Sequence, residues 1–206
     1  MITGTQQQEE IWEAIENTDA HIFVNAGAGT GKTFTIVEGA NRLPFGTTAA
    51  FLAFNSSIAK ELGTRLPSDV EAKTFHAFGF AAIRNAGIKT RVNKFKLNNI
   101  IKELLGKDFH VTPLKKLVGL IKGCLVEGTD KHAIIDLIEE YNINFQSDRE
   151  LKIALDAIPA ILTMCRTQTF HIDFDDMIWL PLANNYPLPT YDVMFVDEAQ
   201  DFNESQ

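Results

Sequence analysis

Two kinds of hydrophobic pattern divide the chain. In the first 90 residues, short apolar runs at 22–25, 48–54 and 70–73 each precede a stretch with helical spacing. The alternation predicts strands leading into helices at 33–43, 57–66 and from Phe75 onward, the last helix but one stopped by Pro67. Strand and helix alternating at short intervals give a parallel sheet covered on both faces. From about residue 92 to 168 the period changes. Apolar residues recur at helical spacing, as in Leu97, Ile100, Ile101, Leu104 and Leu105, then Leu114, Leu117, Val118 and Ile121, then Ile134, Leu137, Ile138 and Tyr141. No strand signal interrupts them. Thr112 with Pro113 suits a helix start, and 185–190, with Pro187 and Pro189, cannot be a central strand. The sheet pattern resumes at 191–196. The expected fold is therefore α/β, a parallel sheet split by a mostly helical insert: a first sheet part over 1–90, the insert over 91–170, and the return over 171–206.

Charge changes this picture locally. The 206 residues carry a net charge of -8, which argues against a protein that simply coats nucleic acid. Yet between Arg84 and Lys122 ten Lys or Arg face only Glu103 and Asp108, a local net of +8. From Gly123 to Asp176 eleven acids face four bases. Solvated helix faces account for such runs, and so does a positive surface beside a polyanion, with Lys94 and Lys96 as its phosphate contacts. No run reaches the roughly 18 apolar residues of a membrane span. The first residues are polar where a signal peptide would be basic and then apolar, so no membrane and a cytoplasmic location are expected. Cys124 and Cys165 are too few and too far apart for a disulfide framework or zinc cluster and read as buried thiols. Trp12 and Trp179 read as core.

The chemistry lies in two segments. Residues 26–33, AGAGTGKT, follow an apolar run and open a helix. Gly27, Gly29 and Gly31 let the backbone turn so that amide N–H groups point inward, between Ala26, Ala28 and Thr30. Lys32 adds a positive charge at the β and γ phosphates of a nucleotide, and the Thr33 hydroxyl can hold Mg²⁺. Residues 193–201, VMFVDEAQD, end an apolar strand on Asp197, placed to hold Mg²⁺ through water. Glu198 can take the proton of a water attacking the γ-phosphate. Both segments would project from the carboxyl ends of parallel strands into one crevice. The cluster Asp173, Asp175 and Asp176 has the composition of a metal site, but three hydrated carboxylates at a surface turn and helix start are the simpler reading.

With these motifs the chain resembles the UvrD/Rep/PcrA-like branch of superfamily 1 DNA helicases. AGAGTGKT matches the family's first ATP motif and DEAQD at 197–201 its second. FNSSIAKEL at 54–62 and TFHAF at 74–78 resemble its DNA-contacting motifs, and FHIDFDDMIWL at 170–180 resembles the segment closing the helical insert. Thr5, Gln8 and Ile11 are similar to its adenine-reading glutamine motif. The resemblance implies a RecA-like phosphate-loop NTPase domain with a helical 1B insert, ATP and Mg²⁺ as cofactors, and single-stranded DNA as partner. It also implies 3′ to 5′ translocation and a missing second RecA-like domain or C-terminal polypeptide that completes the ATP site. Gln8 would read the base, Gln200 would sense the γ-phosphate or couple it to DNA, and Phe54, Asn55, Ser56, Thr74, Phe75 and His76 would lie along the DNA. On the residues alone, Phe54 and Phe75 also read as core, His76 as an ordinary helix histidine and Thr74 as a helix cap. Two other readings remain: a stand-alone phosphate-loop NTPase or kinase, and a non-enzymatic ATP- and DNA-binding module.

Overall fold

The computed structural model describes residues 3–27 and 29–206. In chain order its elements are α1 (Gln6–Asn17), α2 (Lys32–Asn41), β1 (Ala49–Ala53), α3 (Ser56–Gly63), β2 (Val70–Thr74), α4 (Phe75–Asn85) and β3 (Arg91–Val92). Then follow α5 (Lys96–Leu105), α6 (Val111–Gly123), α7 (Lys131–Glu140), α8 (Asp148–Thr167), β4 (His171–Ile172), α9 (Phe174–Ala183), β5 (Val193–Val196) and a 3-10 turn, Ala199–Asp201. The chain forms two compact units. One comprises Met1–Thr74 with Thr190–Ala199, the other Phe75–Pro189 with Gln200–Gln206. Among the described residues no helix is long and apolar enough to cross a membrane.

The first unit is built on a parallel sheet of order β2-β1-β5. A central strand has no face to expose, and all five residues of β1 are buried. Ala49, Phe51 and Ala53 pack with Ala40 of α2, with Ala59 and Leu62 of α3, and with Val70 of β2. At its start β5 is clamped to β1 by Asp192, whose carboxylate accepts from the Thr48 N–H at 2.8 Å and the Thr48 hydroxyl at 2.7 Å. These bonds hold the Asp192 carboxyl below its usual range. α1 begins with a capping box between Thr5 and Gln8 and is fastened to α2 by Trp12. The fully buried indole donates to the Thr35 carbonyl at 2.8 Å, and the Arg42 guanidinium lies 4.1 Å from the ring centroid. Gly39 makes the approach possible: a Cβ there would stand 2.7 Å from the Ile15 side chain.

The expected strand at 22–25 does not form. Among the described residues no ladder joins this segment to the sheet, and Phe23 is 82% exposed. Apolar composition supplies side chains to bury, but a strand also needs a partner edge for its N–H and C=O groups.

The second unit is helical. Leu97, Ile100 and Ile101 of α5 meet Leu114, Leu117, Val118 and Ile121 of α6, with Ile134 and Leu137 of α7 and Ile158 and Ile161 of α8. Besides the stretch 91–170 it takes in α4 and α9. These two approach so closely that a Cβ on Gly79 would fall 2.1 Å from the Met177 carbonyl oxygen. Short parallel strands β3 and β4 bracket the helices.

Two expectations are corrected here. Lys96 is not a surface cation, and of the acidic cluster at the start of α9 only Asp175 is exposed, Asp173 and Asp176 being buried. Lys96 Nζ donates to Asp176 Oδ2 at 2.6 Å and to the Cys165 carbonyl at 2.7 Å, while Lys122 Nζ donates to Asp176 Oδ1 at 2.8 Å. Lys96, Lys122, Asp173 and Asp176 are all buried. Asp173 caps α9 by accepting from the Asp176 N–H at 2.9 Å, and it lies 3.7 Å from Lys122. Burial pulls the Lys122 ammonium down, but Asp176 and then Cys165 and Asp173 outweigh it and leave it above the usual lysine range. Burial raises the Asp173 carboxyl, which Lys122 opposes. The signal was in the spacing. Lys96 stands four residues before Ile100, Lys122 four after Val118 and Asp176 four before Leu180, each on an apolar stripe. Of the thiols, Cys165 is buried, its pKa pushed up to about 11 by that burial, whereas Cys124 is only half-buried.

Asp176→Ala would strand two buried ammonium groups, and its expected cost is about 3–5 kcal/mol. Urea unfolding reads it. A loss below about 1 kcal/mol would mean the lysines reach water at little cost. A second expectation concerns pH. Burial lowers the His76 pKa from 6.5, with Asp175 opposing. A depressed folded-state pKa favours protons on the unfolded chain, so this contribution is full above 6.5 and fades as pH falls below it. His76→Gln should flatten the dependence of stability on pH in that window.

Candidate nucleotide site

The loop from Ala26 to Thr33 has a turn built from the residue types its sequence supplies. Gly29 and Gly31 stand at φ +77° and +86°, in the left-handed region where a side chain would be strained. The Thr30 hydroxyl donates to the Gly27 carbonyl at 2.9 Å and closes the turn. Gly31 then serves as the cap residue of α2, without a side-chain cap bond, and the first bond back into the helix runs from the Thr35 N–H to the Gly31 carbonyl at 2.9 Å. Helix geometry leaves the first-turn N–H groups without partners inside the helix, which makes this end an anion seat. Thr33 is exposed on that first turn. Ala28, expected in the same cradle, lies outside the described residues.

The acidic segment meets the loop within the same unit. β5 ends at Val196, and the Asp197 N–H still donates to the Leu52 carbonyl of β1 at 3.2 Å. Asp197 Oδ1 accepts from the Glu198 N–H at 3.1 Å. Glu198 turns out of the strand at φ +52°, an uncommon conformation for a residue with a Cβ and one that redirects its side chain. Its Oε1 then accepts from Lys32 Nζ at 2.9 Å, across 166 positions of sequence. That hydrogen bond raises the Lys32 pKa, with burial opposing and the charges of Glu198 and Asp197 adding to it. One ammonium, two carboxylates and a helix N-terminus therefore converge. The residues fit a magnesium nucleotide: a hydroxyl and a carboxylate for the metal, a cation and N–H groups for phosphates, and a second carboxylate for a proton.

Gln8 lies beside the loop, its amide nitrogen donating to the Thr35 hydroxyl at 3.0 Å. Gln200 is exposed in the 3-10 turn and belongs to the helical unit.

The residues expected along DNA divide between the two units. In the sheet unit, Phe54 is exposed just past β1, and Asn55 caps α3 by accepting from the Ile58 N–H at 3.0 Å. Ser56 is exposed on the first turn of α3, and Thr74 ends β2 half-buried. In the helical unit, Phe75 is buried at 8% exposure with its ring edge-to-face on Phe202 at 4.4 Å. The structure gives Phe75 the core role that its strand-end position allowed, because a base platform needs an open ring face. His76 is half-buried, its ring 5.9 Å from that of Phe174. Sequence reasoning missed Thr35 and Trp12 as parts of the nucleotide region; their contacts join two helices and no spacing rule reports them.

A parallel sheet, a glycine loop opening a helix, and acids at a neighbouring strand end define a RecA-like phosphate-loop nucleotide-binding fold. The chain belongs to the family described as an AAA domain, whose model matches residues 7–206. It is similar to the ATP-dependent DNA helicase PcrA of Leuconostoc citreum, at 22% identity over 94% of this chain and 29% of that protein. The chain thus spans less than a third of that relative's length. Family and relative both support the UvrD/PcrA-like superfamily 1 resemblance drawn from the motifs.

Two substitutions test the loop and its acid. Lys32→Ala should weaken magnesium-ATP binding by about ten-fold, since a charge-assisted phosphate contact is lost. Glu198→Gln removes the carboxylate that competes for Lys32 and should bind ATP at least as tightly as the parent. Calorimetric titration checks both, and equal affinity in the Lys32 variant would rule out its phosphate contact.

Proposed function

We propose that this chain is the ATP- and Mg²⁺-binding part of an ATP-dependent translocase on single-stranded DNA. In the complete enzyme, hydrolysis would drive 3′ to 5′ movement and unwinding, with a second RecA-like domain or further polypeptide completing the site. The observation that carries this reading is the Lys32–Glu198 pair, which brings the phosphate loop and the acidic strand end to one place. The helicase relative, aligned over only 29% of its own length, supports the partial-enzyme reading. In this proposal the helical unit contains the inserted 1B subdomain, over 91–170, and the sheet unit belongs to domain 1A.

Each residue then has a task. Lys32 neutralises phosphate charge and the α2 N-terminus, with Gly27, Gly29 and Gly31, seats the phosphate oxygens. Thr33 and Asp197 hold Mg²⁺, whose charge offsets that of the β and γ phosphates. Glu198 accepts the proton of the attacking water once Lys32 has moved to phosphate, and Gln8 contacts the base. Gln200 couples the site to DNA, which runs past Phe54, Asn55, Ser56, Thr74 and His76. A cytoplasmic location goes with this reading.

ATP turnover with and without single-stranded DNA tests the proposal, Glu198→Gln serving as control. A small turnover that DNA stimulates, and that the control lacks, is expected. Equal turnover without DNA would favour a stand-alone NTPase or kinase. ATP binding with no turnover by this chain alone would fit a site that waits for the second domain, and no turnover once that polypeptide is joined to it would leave a non-enzymatic binding module.

A further inference from the structure

The Gln8 amide makes two bonds whose directions are chemically fixed. Its oxygen accepts from the Thr5 N–H at 2.9 Å, and its nitrogen donates to Thr35 Oγ1 at 3.0 Å. Thr35 Oγ1 in turn donates to the Gly31 carbonyl at 3.1 Å. A hydroxyl has a single hydrogen. With that hydrogen on Gly31, Thr35 can only accept from Gln8, so the amide face beside it must be the NH₂. The Thr5 N–H makes the matching demand for oxygen on the other side. Thr35 is itself held: it is buried, and its backbone carbonyl accepts from Trp12 Nε1 at 2.8 Å. Arg42, stacked on that indole, is paired with Glu9, Glu16 and Glu38 at 3.4, 3.6 and 3.2 Å.

We propose that Thr35 is the positioning residue for base selection: its hydroxyl locks the Gln8 amide in one orientation, so that the site takes an adenine nucleotide over a guanine nucleotide. This rests on the reading of Gln8 as the base contact. The locked amide keeps a second N–H and a second oxygen lone pair, one donor and one acceptor side by side. Adenine offers the complement on one edge, the N7 acceptor beside the N6 donor. Guanine offers two acceptors there, N7 and O6, and O6 would face the amide oxygen. Turned over, the amide would set its oxygen against N7 and its NH₂ against the N6 donor, so an unlocked amide loses adenine, whereas guanine meets one mismatch in either orientation.

Affinities of ATP, GTP and inorganic tripolyphosphate, each with Mg²⁺, should be measured for the parent, Thr35→Val, Thr35→Ser and Gln8→Ala. Thr35→Val should lose about ten-fold of the preference for ATP over GTP, the scale of one misplaced polar contact. Its tripolyphosphate affinity should stay within about two-fold of the parent, which also shows that the loop is folded. Thr35→Ser, which keeps the hydroxyl, should restore the preference. A Thr35→Val protein with the parent's ATP preference would overturn the proposal while Gln8→Ala still lost it. An equal fall for ATP and tripolyphosphate would make Thr35 a loop support only. If Gln8→Ala kept the preference, the base reading of Gln8 would fail and the Thr35 role with it.

Discussion

The parallel pairing of β1 with β5 is the constraint on which the sheet unit and its site depend. It joins Ala49–Leu52 to Val193–Val196, so the strand that leads to Asp197 is set beside the strand that leads to Phe54. The Thr48–Asp192 bonds fix where that ladder starts and hence where it stops. Parallel strands need a crossover, and here the chain between β2 and β5 is long enough to form a second compact unit. Loop-closure entropy grows only as the logarithm of length, so such an insertion costs the sheet little beyond what a short crossover would.

Within the site, charge balance sets what can happen. Lys32 has Glu198 as its partner and Asp197 nearby, an arrangement that satisfies the cation before phosphate arrives. Both side chains are about one-third exposed, so the pair is screened by solvent and can be exchanged. A phosphate that takes Lys32 releases Glu198, and the carboxylate freed in this way is the one proposed as base. The left-handed turn at Glu198 aims it at the loop, a local conformational cost retained where the chemistry is proposed.

The helical unit uses charge differently. Its four buried ionic groups, two lysines and two aspartates, tie α5, α6 and α9 together at one point. An apolar core alone would let helices of similar stripe slide past one another; a two-armed carboxylate accepting from two helices specifies one register. Among the described residues no buried side-chain polar atom lacks a partner, so the hydrogen bonds and opposite charges of the cluster offset the desolvation of its members.

Much of this was legible in the sequence because local rules were enough. Helix periods placed α5, α6 and α7, glycines at 27, 29 and 31 with Lys32 and Thr33 gave the phosphate loop, and the apolar run before Asp197 gave the strand end. Each of these depends on neighbours within a few residues. Tertiary structure decided the rest. It left 22–25 without a ladder, since pairing needs an edge that composition does not supply. It took Lys96 and Asp176 from surface expectations into a core, because a charge can be buried only when a distant countercharge is brought to it. It also joined Gln8 to Thr35 and Lys32 to Glu198, contacts between separate elements whose geometry is fixed only when the chain has folded.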